Sequence, residues 1–69
     1  LQEDRLPEMV GTVLDTVREI MGDKRGKDAV PVLKTVADKL DLTETALRKK
    51  LVRAGHPWAG IKRYFEKES

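Results

Sequence analysis

An all-α fold, a small bundle of about four helices, is predicted by three features of this sequence. Apolar side chains recur at alternating steps of three and four residues, the spacing that lines one face of a helix. Gly, Pro and good capping residues cut the chain into four such stretches. The composition sets 39% apolar against 38% charged residues, with one Trp, one Tyr and one Phe, so a mostly aliphatic core must lie between charged faces. At 69 residues the chain makes one small domain (1–69) with a single core. There is no cysteine, hence no disulfide and no thiolate metal site to staple the fold.

The first helix is expected over 6–21. Its stripe is Leu6, Met9, Val10, Val13, Leu14, Val17, Ile20 and Met21. Asp4 would cap it, Pro7 would stand in its first turn, the acids near its start suit the positive end of the helix dipole, and Gly22 would stop it. Gly11 costs this helix about 1 kcal/mol relative to Ala, which would be explained by a close approach to another helix. Such a stripe can fill the chain's own core, or serve as the seam of a homodimer.

Residues 22–27 contain two glycines and no apolar side chain. They read as a solvated loop whose Lys24, Arg25 and Lys27 either keep it soluble or touch phosphate. A second helix is expected to begin near Asp28 with Pro31 in its first turn, burying Val32, Leu33, Val36, Ala37 and Leu40. Thr43 is a good N-cap for a third helix over 44–54, with Leu47, Leu51 and Ala54 inward and Gly55 ending it. After the His56-Pro57 turn, a last helix over 58–66 carries Trp58, Ile61 and Phe65.

Charge is distributed unevenly along this chain. The net value is only +2, yet six acids against two cations occupy residues 1–23, and twelve Lys and Arg against six acids occupy 24–69. A basic remainder behind an acidic first helix suits a polyanionic partner for one part of the molecule.

The segment 29–54, and 36–54 within it most of all, has the pattern of a helix-turn-helix. Ala37 is the small residue where two helices cross, Leu40 and Leu42 flank the turn, and Leu47 and Leu51 face back. Glu44, Thr45, Arg48, Lys49 and Val52 then point mostly outward. Arg48 and Lys49 can donate to guanine O6 and N7, Thr45 can reach base edges, and Glu44 can accept from cytosine N4, so Glu44, Thr45, Arg48 and Lys49 are the base-contact candidates. Thr43 at the helix start, Lys50 and Arg53 on the flanks, and Lys34, Lys39, Lys62 and Arg63 outside the motif are the phosphate-contact candidates. The expected partner is double-stranded DNA, in transcription regulation or nucleoprotein assembly.

The stretch from Ala37 through Asp41-Leu42-Thr43 to Leu47-Arg48-Lys49-Lys50-Leu51 resembles the helix-turn-helix of Fis-type domains, including those that end NtrC-class activators. The continuation through Gly55-His56-Pro57-Trp58 to Ile61-Lys62-Arg63 is similar to the first helix-turn-helix of AraC-type regulators. Neither resemblance covers more than about half of the chain. Asp41 stands where both families usually carry Gly, so the resemblance implies a left-handed turn residue supplied here by Asp. It implies a recognition helix in the major groove, with the protein doubled on a two-fold site.

Other readings stand beside this one. The row Arg48, Lys49, Lys50 and Arg53 can be an ordinary solvated face, although four cations within six positions and no acid among them favour nucleic acid. The rival class is a protein-interaction module, the tail of a larger DNA-transaction protein, and a third is RNA binding, which lacks an aromatic platform. Trp58 can stack on a base, but in a chain so poor in aromatics it is assigned to the core with Ile61 and Phe65 against Leu51. His56 has no second His and no Cys, so it is a turn residue rather than a metal ligand. No nucleophile-base set, carboxylate pair or Gly-rich phosphate loop suggests an enzyme, and no cofactor or metal is called for. No apolar run approaches the roughly 20 residues of a membrane span, so no membrane partner and a cytoplasmic location are expected. A first residue of Leu rather than Met adds the expectation of a domain drawn from a longer protein.

Overall fold

The computed structural model describes residues 5–67, which form four α-helices: α1 (Glu8–Met21), α2 (Leu33–Lys39), α3 (Glu44–Arg53) and α4 (Trp58–Lys67). A 3-10 turn, Lys27–Ala29, lies between α1 and α2. No strand occurs among the described residues, and no described helix is long and apolar enough to cross a membrane.

The start of α1 falls later than the stripe suggests. Pro7 is the N-cap, with φ −56° and ψ 150°, and its carbonyl accepts from the Gly11 amide at 3.0 Å. Proline fixes its own φ and disfavours helix at the residue before it, so Leu6 stays outside. Asp4, the expected cap, lies outside the described residues. Gly22 ends the helix at φ 59°. Thr12 and Thr16 donate their hydroxyls to the carbonyls four residues earlier, so the buried Thr16 is satisfied within its own helix.

Proline also explains the late start of α2. The segment expected to be helical from Asp28 is instead a 3-10 turn followed by extended Val30 at φ −71° and ψ 123°. Pro31 pushes the residue before it out of the helical region, and the chain enters α2 only after Val32. Val32 is therefore the N-cap and 66% exposed, not buried as expected.

One core joins the four helices. α1 contributes Val10, Val13, Leu14, Val17 and Met21; α2 contributes Leu33, Val36 and Ala37; α3 contributes Leu47 and Leu51; α4 contributes Ile61 and Phe65. Five of the eight residues of the first stripe are thus spent inside this chain, and Leu6, Met9 and Ile20 pack half-buried at the core's margin. Phe65 is fully buried, and the Arg18 guanidinium of α1 lies 5.5 Å from its ring centroid, a cation-π contact that ties α4 to α1. Gly11 does not mark a close approach, since a Cβ there would meet no atom within 4 Å among the described residues.

Candidate nucleic-acid interface

The link between α2 and α3 is built from backbone bonds that need one left-handed residue. The Leu42 amide donates to the Ala37 carbonyl at 2.9 Å and the Asp41 amide to the Asp38 carbonyl at 3.2 Å. This is the Schellman arrangement, which consumes the last carbonyls of α2. Asp41 takes the left-handed position at φ 59° and is the sole described non-glycine with positive φ. Half-buried Leu40 and Leu42 pack against the core on either side of it. Thr43 then caps α3, its Oγ1 accepting from the Ala46 amide at 3.1 Å. At the other end of α3 the same arrangement recurs: the His56 amide donates to the Leu51 carbonyl and the Gly55 amide to the Val52 carbonyl, both at 3.0 Å, with Gly55 at φ 82°.

Because Leu47 and Leu51 are fully buried, they fix the rotation of α3. At about 100° per residue, Lys49 lies about 180° from their midpoint, Thr45 and Arg53 about 140° to either side, and Val52 about 120° away. All four are exposed. Arg48 and Lys50 lie nearer the two margins, each about 80° from that midpoint.

The candidate side chains do not form one surface. Glu44 and Arg48 pair with each other, Oε1 to Nη2 at 2.7 Å across one helical turn, with side chains 43% and 59% exposed. They line a groove with Lys27 and Asp28 of the 3-10 turn and with Trp58, Lys62 and Glu66 of α4. Three cations face three acids there, so the groove has no net charge. Arg63 lines a different groove beyond the end of α3, with His56, Tyr64 and Lys67. Lys62 and Arg63, adjacent in sequence and about 100° apart around α4, therefore serve different grooves. On α2, Lys34 and Lys39 are exposed but about 140° apart around the axis. The residues that do share one exposed face are Thr45, Lys49, Val52 and Arg53, with Thr43 at its N-terminal end and Lys50 at its edge.

The Glu44–Arg48 pair carries a signal in the sequence, since an acid four residues before an arginine on a helix is a favoured pair. Arg63 and Lys67 stand four residues apart and so share a face of α4, a grouping also within reach of the sequence, whereas their meeting with His56 depends on how α4 is turned. Trp58 sits at the core margin rather than within it, half-buried and lining the neutral groove.

Compared with known proteins, the chain matches no family model, no curated protein and no solved structure. The likeness to Fis-type and AraC-type domains rests on the residues quoted above.

Proposed function

We propose that this chain binds double-stranded DNA through a helix-turn-helix formed by α2 and α3, with the exposed face of α3 in the major groove. The observation that carries the reading is the face itself. Opposite two fully buried leucines, α3 presents Thr45, Lys49, Val52 and Arg53 without an acid among them, while its one acid, Glu44, is turned to the flank and held by Arg48. A helix about 10–12 Å across with its side chains fits the major groove, which is about 12 Å wide.

The roles divide by position on the helix. Lys49 and Thr45 point where base edges would lie and are assigned to base contact, and Arg53 joins them as a guanine or phosphate donor. Thr43 keeps a hydroxyl proton to give to a phosphate while its oxygen caps the helix, and Lys50 flanks the row. Arg48 is assigned to a backbone phosphate beside Lys62, because its pairing with Glu44 holds it to the flank. In this reading the protein works in transcription regulation or in the assembly of a nucleoprotein complex.

The test is a fluorescence-anisotropy titration of labelled duplex with the wild-type chain and with a Lys49→Ala, Arg53→Ala double variant. Both residues are exposed, so circular dichroism should show unchanged helicity. With about five phosphate contacts, wild-type affinity should fall a few hundredfold between 50 and 200 mM salt, and the double variant should bind at least tenfold more weakly at low salt. Equal binding by the two proteins would contradict the assignment of α3. Binding of no duplex even at low salt would leave the interaction-module reading in its place.

A further inference from the structure

We infer that Val52 is a specificity-determining residue that reads the 5-methyl group of a thymine in the major groove, an inference that rests on the DNA reading above. Val52 is 58% exposed and is the one large apolar side chain left open on α3. Single exposed apolar residues are common, so exposure alone decides nothing. Its position and neighbours decide. Thr45, Lys49 and Val52 stand at i, i+4 and i+7, which places Thr45 and Val52 within about 20° of each other around the axis and about two turns apart, with Lys49 between them. By helix propensity alone a valine is disfavoured here, because its branched side chain makes it a poorer helix former than Lys49, Lys50 or Arg53. In the major groove the thymine methyl is the one apolar feature of the base edges, and side-chain methyl groups are its complement. Flanked by Lys49 and Arg53, an isopropyl group held at groove depth separates a T·A pair from a C·G pair by contact rather than by hydrogen bonding. The other large exposed apolar residue, Val32, is the N-cap of α2 and lines the neutral groove, on another element than this row.

The experiment uses duplexes of about 20 base pairs selected from a random pool by the 69-residue chain, each resynthesised with deoxyuridine in place of one thymine at a time. Deoxyuridine removes the methyl group and keeps every hydrogen-bonding atom. Anisotropy titration should show about fourfold weaker binding at one thymine of the bound groove, the worth of one methyl returned to water. The Val52→Ala variant, exposed and thus folded as before, should bind the thymine and deoxyuridine duplexes alike and keep the wild-type salt dependence. The inference is overturned if every deoxyuridine duplex binds within about twofold of its parent, or if Val52→Ala keeps the methyl sensitivity. In either case tight duplex binding leaves the DNA reading standing, whereas failure to bind any duplex at low salt overturns both.

Discussion

Asp41 occupies the position in this fold where a glycine costs least. Its φ of 59° lets the Leu42 and Asp41 amides reach back to Ala37 and Asp38, and so sets where α3 leaves α2. An L-residue at such an angle crowds its Cβ against the following carbonyl, at about 1–2 kcal/mol for an ordinary side chain and less for Asp, which tolerates the region. Glycine removes that cost but loses more backbone entropy on folding, about 0.4–1 kcal/mol. The balance favours Asp41→Gly by about 0.5 kcal/mol, an expected rise in melting temperature of roughly 2–4 °C by thermal denaturation; a fall would show that Asp41 makes a stabilising contact worth more than its strain. The departure from glycine at this position was legible in the sequence, and so were the Thr43 cap and the Gly55 stop, because each depends on one residue's own chemistry. The Glu44–Arg48 pair was also within reach of the sequence, and it changes the division of labour by moving Arg48 to the flank.

At the scale of elements, the apolar stripe predicts helix existence better than helix start. The stripe Val32, Leu33, Val36, Ala37 and Leu40 fits a helix beginning near Asp28 by spacing alone, yet Pro31 forces Val30 into extended backbone and the helix waits until Leu33. Rotation is harder still to read, since the turn of α4 that sends Lys62 and Arg63 into different grooves comes from burying Ile61 and Phe65 against α1 and α3. The glycines inside helices give a direct check on packing. Gly11 in α1 and Gly60 in α4 have open space where a Cβ would stand and lie at ordinary helical φ. Each substitution to Ala should therefore raise stability, by about 0.5–1 kcal/mol, and the two should add because they lie on separate helices. Urea denaturation of the two single variants and the double variant measures this; a loss at position 11 would mean that α1 is approached more closely there than the packing shows.

The whole molecule separates scaffold from candidate interface. The acidic first helix places Val10, Val13, Leu14, Val17 and Met21 in the core, and only Leu6, Met9 and Ile20 remain at its margin for a second copy. The basic face lies on α3, whose orientation the other three helices hold. With a longest Cα extent of 27 Å, the domain is shorter than one turn of B-DNA, about 34 Å, so under the proposed reading one copy would cover a half-site and a two-fold site would take two. DNA binding as proposed requires that the face of Thr45, Lys49, Val52 and Arg53 meet the duplex. The direct measurement is amide chemical-shift mapping of the isotope-labelled chain as duplex DNA is added at low salt. The largest shifts should fall on residues 43–53, with the α1 amides nearly still. Shifts centred on the groove lined by Trp58 and Lys62, or the absence of any shift at saturating duplex, would contradict it.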